Sequence, residues 1–209
     1  MNSCRAAGGS AMRKKQRGMT LPEAVVSVAI LGLLVAIVLP ALDRMIRRAA
    51  LRGAALTVFD LLRITQEDAR LLATERGVKF ELAGGEWRYA VYEDGNRDGV
   101  RNRDIASGVD RLVDGPRPLF PHKAFARIGL APAVPDPDTG KPMPLGASAV
   151  QFNSSTICSF AVTGDGTPGS IYLTNGRGDE AAMVRSSGNG GALRILYYGL
   201  EGIGWRLSR

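Results

Sequence analysis

The chain holds one histidine, His122, and two cysteines, Cys4 and Cys158. One histidine cannot complete a zinc site or a Ser-His-Asp triad. The serines of "NSST" and "RSSG" have neither a base nor the strand-turn-helix elbow of hydrolase nucleophiles. The glycines of "GNGGALR" lack the G-x-x-x-x-G-K-[ST] spacing of a phosphate loop. No internal repeat and no long low-complexity tract is present, which excludes solenoids and propellers. The expectation is a protein that is not an enzyme. Two local absences point elsewhere. Residues 1–18 contain no acid, and Ala24–Leu42 contains no charge at all.

The 209 residues are 45% hydrophobic, enough for one ordinary core plus an extension. Most of the 26 glycines and 11 prolines fall after residue 77, as many short strands and turns require. The net charge of +7 suggests a polyanion partner, but its location argues otherwise. Five cations, Arg5, Arg13, Lys14, Lys15 and Arg17, lie in residues 1–18. If that segment is removed, little net charge remains for a general nucleic-acid footprint. Basic residues beside an apolar span instead orient it, because they stay cytoplasmic. Cys4 would leave with the same segment, and one remaining thiol closes no intrachain disulfide. Cys158, in "STICSFAV", reads as a small buried hydrophobe on a strand.

The segment "QRGMTLPEAVVSVAILGLLVAIVLPAL" joins these observations. As a helix, its uncharged part is about 28 Å long, close to the hydrocarbon thickness of a bilayer. Arg44, Arg47, Arg48 and Arg52 follow it. Three readings compete: a cleaved secretory signal, a plain signal anchor, and a segment cut before the apolar run and retained. "VLPALDR" is a poor signal-peptidase site. The third reading explains the most residues. A cut after Gly18 makes Met19 the N-terminus, with a free amine about one helical turn from Glu23. A lone carboxylate in lipid costs several kcal/mol. Pairing with that amine, in the same chain or in a stacked neighbour, lowers the cost and makes Glu23 an assembly register.

"RGMTLPEAVVSVAILGLLVAIVLPAL" resembles the N-terminal signature of type IV pilins and pseudopilins. Gly18, Met19, Thr20, Leu21 and Glu23 match it position by position, with Met19 where Phe is commoner. Pro22 suits a first helical turn, and Pro40 falls where these helices often carry a kinking proline. The resemblance implies cleavage between Gly18 and Met19 and N-methylation of Met19 by a prepilin peptidase. It also implies assembly with other pilins or pseudopilins through N-terminal helices, on an inner-membrane assembly platform.

Apolar residues continue at helical spacing through Leu42, Met45, Ile46, Ala49, Leu56, Phe59, Leu62, Ala69, Leu72 and Ala73. This predicts an amphipathic helix to about Glu75, with Gly77 as its C-terminal stop. Gly53 and Pro40 are the places where it would bend. "VKFEL", "GG" and "EWRYAVYE" predict a hairpin with Trp87, Tyr89 and Val91 on one face. Further strands are expected at Phe125–Gly129, Ala149–Asn153, Ile157–Thr163, Ser170–Thr174, Glu180–Arg185, Ala192–Tyr198 and Gly202–Leu207. Residues 130–146, rich in proline, read as an irregular surface loop. The fold class expected is α+β: a long N-terminal helix, membrane-spanning in its first half and amphipathic in its second, packed on an antiparallel β domain. The division is 1–18 leader, 19–43 apolar helix, 44–76 amphipathic helix and 77–209 β domain.

The C-terminal layout resembles the GspH/FimT-type minor pseudopilins and minor pilins. Phe152, Gly169, Ile171 and Leu173 fit their "F-x-x-x-G…G-x-I-x-L" strand pair, and "GIGWRL" stands for the usual terminal "G-R". A subunit of a type IV pilus or type II secretion pseudopilus follows, single-pass in the bacterial inner membrane with its β domain periplasmic. The alternatives are a DNA-binding minor pilin of a transformation pilus and a plain membrane-anchored β-domain protein. For DNA, Arg194, Trp205, Arg206 and Arg209 offer a basic-aromatic patch; the rival reading is strand-edge arginines in solvent. "YEDGNRDGVRNRDI" matches the first half of a calcium loop through Asp94, Asn96, Asp98, the Val100 carbonyl and the Asn102 side chain, with Asp104 or Asp110 substituting for the missing acid at Ile105. The rival is an Asp/Asn/Gly turn whose acids pair with Arg97, Arg101 and Arg103.

Overall fold

The computed structural model describes residues 19–120, 125–144, 146–200 and 204–208. The leader, Gly18, His122 and Arg209 lie outside them. The chain divides into two compact units, residues 1–42 and 43–209. One helix, α1 (Leu21–Leu71), begins in the first unit and ends in the second. Pro40 sits inside it without ending it.

In the first unit the large apolar side chains of the helix are exposed, Leu33 at 64% and Ile37 at 63% among them. This is the one helix among the described residues long and apolar enough to cross a membrane. In the second unit α1 buries Leu51, Ala54, Ala55, Val58, Leu62, Thr65, Gln66 and Ala69. These recur at three- and four-residue steps and form a single stripe. The predicted stripe is partly corrected. Leu62 and Ala69 are buried, but Met45, Leu56 and Leu72 face outward. Ala54 and Ala55, small enough for close approach by the sheets, select the buried face instead.

The helix also ends earlier than predicted. Leu71 is its last residue, and Ala73, at φ 51°, takes the left-handed position after it. The Thr74 N–H then bonds the Ala69 carbonyl. Gly77 is not the stop. It lies in strand β1 (Arg76–Ala83), where an added Cβ would come within 2.9 Å of the Val100 Cβ. The boundary expected at residue 76 therefore falls inside a strand.

β1 pairs with β2 (Glu86–Glu93) as the predicted hairpin, turning at Gly84-Gly85. A short helix, α2 (Asn102–Ser107), precedes β3 (Arg111–Pro118). Both were missed in the sequence. No strand was expected at "RLVDGPRP", yet it pairs with β2 through two register shifts at the edge of its sheet, where proline's missing N–H is tolerated. The remaining strands are β4 (Arg127–Ile128), β5 (Val150–Phe152), β6 (Ile157–Phe160), β7 (Gly169–Thr174), β8 (Ala181–Ser186), β9 (Leu193–Tyr198) and β10 (Trp205–Leu207). All match expected segments to within a few residues at their ends; β7 starts one residue before its expected segment and β8 runs one residue past it. They form two antiparallel sheets, β3-β2-β1-β6 and β10-β9-β8-β7-β4, with β5 also paired to β7.

Both sheets and the second half of α1 share one core. Val78, Phe80 and Phe160 come from the first sheet, and Phe152, Ile171, Leu173 and Val184 from the second. Phe80 and Phe152 stack with ring centroids 6.3 Å apart. Each such side chain, fully buried, contributes about 1.5–3 kcal/mol. The loop 130–146 is more than surface, because Ala131 and Val134 are buried against Ala181. Buried Gln66 ties α1 to two turns, donating to the Gly164 and Gly191 carbonyls at 2.7 Å each.

Gly169 is where β5 crosses closest to β7. A Cβ there would fall on the Gln151 carbonyl oxygen and the Phe152 Cα, both backbone atoms that cannot rotate away. Gly169→Ala is expected to lower stability by about 1–3 kcal/mol, read as a shifted urea midpoint for the full chain in detergent.

Candidate functional site

The N-terminal segment is built around Glu23. Met19 and Thr20 precede α1 in non-helical conformation, and Pro22 occupies its first turn, where a missing N–H leaves no bond unmade. The Thr20 N–H donates to Glu23 Oε2 at 3.4 Å, the reach-back arm of a capping box. The Ser27 hydroxyl donates to the Glu23 carbonyl at 2.8 Å. Glu23 thus satisfies an end donor and faces the positive end of the helix dipole. Beyond it, the apolar side chains from Val25 onward are exposed. A segment of this kind can bury its surface only in lipid or against other helices.

At the start of the second unit, α1 is gripped by a turn that the sequence shows only as "TNGRGD". Asn175 Oδ1 accepts the N–H groups of Arg177 and Gly178, and its amide donates to Asp179 and Glu180. That shape aims Arg177 at Asp43, 2.5 Å away, and Glu180 at Arg48, 2.6 Å away. Asp43 also pairs with Arg47, whose guanidinium lies 4.8 Å from the Phe125 ring centroid. The arginines after the apolar run therefore help hold the helix to the β domain as well as flanking that run. The separation of 134 residues between Asp43 and Arg177 hides this in the sequence.

The calcium-like loop turns its acids inward on its own backbone. Asp94 accepts the N–H groups of Asn96, Arg97 and Gly99 at 2.8, 3.0 and 2.8 Å. Asn96 Oδ1 accepts from Asp98, and Asp98 pairs with Arg101 at 2.8 Å. Asp104 is buried against Arg103, and the Val100 N–H donates to Ser159. Asp110, the other acid considered for the missing ligand position, bonds the N–H groups of Gly95 and Arg101. Among the described residues no cluster of three or more His, Cys, Asp or Glu side chains is placed to hold a metal ion. This geometry is that of an Asx-turn loop closed by arginines.

The C-terminal basic patch is not assembled as expected. Trp205 donates its indole N–H to the Pro135 carbonyl at 2.7 Å and packs on Tyr198 and Tyr172. Arg206 sits opposite Tyr197 in register, and Arg194 opposite Arg185. Successive strand residues alternate faces, so Arg194 and Arg206 lie on opposite faces of the sheet. Cys158 is fully buried, and burial pushes its thiol well above the ordinary range. It is the inert core residue predicted.

Residues 13–39 match the family described as the prokaryotic N-terminal methylation motif. The matched stretch includes Gly18, Met19 and Glu23. Among solved structures, the minor pseudopilin EpsH from the type 2 secretion system of Vibrio cholerae is similar to this chain. The two share 16% identity and a TM-score of 0.43, over 71% of this chain and 98% of that one. No curated protein matches significantly.

Two outcomes follow from the ionic contacts. Asp94→Ala leaves three backbone donors without their acceptor and is expected to cost about 1–3 kcal/mol in thermal unfolding with EDTA present. Stability should also fall in acid. The Arg76 guanidinium holds the Glu93 carboxyl below its ordinary value, and the Gly190 N–H and the Thr163 hydroxyl do the same for Asp165. Their stabilisation is complete above the ordinary carboxylate range and is lost as pH falls through the lowered values. Glu75, raised by burial and by Asp94 and Asp98, acts in the opposite sense. Melting temperatures from pH 7 to 2.5 should drop most steeply below about pH 4.

Proposed function

We propose that this chain is a minor pilin or pseudopilin, a structural subunit rather than an enzyme, similar in layout to the GspH/FimT type. The observation that carries the reading is the methylation motif at residues 13–39 lying at the start of a helix whose apolar half is exposed. The chain enters the inner membrane through its apolar helix, with residues 1–18 cytoplasmic and the β domain periplasmic. A prepilin peptidase cuts between Gly18 and Met19 and methylates the new amine. The subunit then leaves lipid for a filament, where helices of neighbouring subunits cover the same apolar side chains. Van der Waals packing holds that assembly, since lipid and helix surfaces are equally apolar.

Glu23 sets the axial position. Cleavage frees a cationic amine four residues upstream, and in the filament the carboxylate pairs with the amine of an adjacent Met19. Inside lipid or a dry bundle the pair is worth more than at a wet surface. Glu23→Ala is expected to be inserted and cleaved normally but to be absent from sheared filaments, as read by immunoblot of both fractions. Normal incorporation would contradict the assigned role. Gly18→Leu should retain the leader, seen as the unprocessed intact mass.

A further inference from the structure

On the outer face of the second sheet lies a groove of about 630 Å³ that the pilin reading does not use. Strands β5, β7 and β8 form its floor, and the loop around Asp136–Ala147 forms one wall. Register places Gln151, Ser170, Arg185 and Arg194 in one row across four strands. The last two are like charges directly opposite each other, an arrangement that costs stability unless an anion is near. The anion in place is the chain's own. Arg185 Nη1 and Nη2 donate to Asp138 Oδ1 and Oδ2 at 2.7 and 2.6 Å, and Nε donates to Ser170 Oγ at 3.3 Å.

The two partners differ in how firmly they are held. Arg185 is 29% exposed, and its planar fork is fixed at the floor of the groove. Asp138 is 62% exposed and hangs from a loop turn in which Asp136 accepts the N–H groups of Asp138 and Thr139. A partly solvent-exposed ion pair of this kind adds little stability, and its exposed partner can be exchanged. A fork already ordered for one carboxylate is ordered for another.

We infer that the groove is a binding site for a protein segment bearing a carboxylate, in which the incoming group takes the place of Asp138 on Arg185. The volume is that of a site holding a few residues. Ser148, Gln151, Asn153 and Ser170 supply donors and acceptors suited to peptide groups. Asp136 and Asp138 in the wall disfavour a run of phosphates, which argues for peptide over nucleic acid. Arg194, one strand away on the same face, adds positive field from outside the groove. The inference is independent of filament assembly: failure of either leaves the other standing.

The test is fluorescence-polarisation binding to the full chain in detergent. The probes are dye-labelled pentapeptide pools of three kinds: a free C-terminus without Asp or Glu, an amidated C-terminus with one Asp, and an amidated C-terminus with no acid. Saturable binding of either of the first two is expected, and which one binds identifies a terminal or side-chain carboxylate as the source. Asp138→Asn should tighten binding about two- to fivefold by removing the internal competitor. Arg185→Gln should abolish it. Arg185→Lys, which keeps the charge without the fork, should weaken it and decides the matter if the Gln variant fails to fold. Equal binding of the acid-free pool, no change in Asp138→Asn, or stronger binding of inorganic phosphate or a short DNA duplex would overturn the inference.

Discussion

From Leu21 to Leu42 α1 offers apolar side chains to its surroundings, and from Leu51 to Ala69 it offers a single apolar stripe to its own β domain. These are two different burial requirements on one helix. The second is met within the chain, by strands from two sheets that converge on Leu51, Val58 and Leu62. The first can be met only by lipid or by other helices. The rest of the structure follows from that division. The β domain exists where the helix needs a cover, and charge returns to the helix at Asp43, where the apolar run stops.

The ionic contacts at that change of surroundings have a mechanical sense. Asp43 and Arg48 are bound by Arg177 and Glu180 from one turn, which fastens the first turns of the helix's second part to the β domain. Gln66 does the same further along through two carbonyls, and Arg76 joins Asp68 of the helix to Glu93 of β2. The partly exposed Arg177–Asp43 and Arg48–Glu180 pairs are individually weak. Spread along the helix, they set its orientation on a core that supplies most of the free energy.

Legibility varied with the range of the interaction. The apolar run, its flanking charges and Glu23 lie within one stretch of sequence and were readable there, as was the β1–β2 hairpin with its Gly-Gly turn. β3 was not, because Gly115, Pro116 and Pro118 disguise an edge strand as a turn. Ala73 in the left-handed position displaced Gly77 as the helix stop, since local hydrogen bonding outweighed glycine's preference. The loop at Asp94 was ambiguous by type alone. Its acids could face a cation or their own backbone, and only three-dimensional placement showed Asp110 accepting the loop's own N–H groups.

Local pattern by itself determined the apolar helix, the acid at its mouth and the succession of short strands. These depend on residue type at fixed spacing along one segment, and periodicity reports them directly. Tertiary structure alone decided which stripe of α1 is buried, which turn holds it, and that Arg185 meets Asp138 across a groove while Arg194 and Arg206 face apart. Such pairings join residues tens of positions away, and sheet order and register, which no single segment encodes, set their geometry.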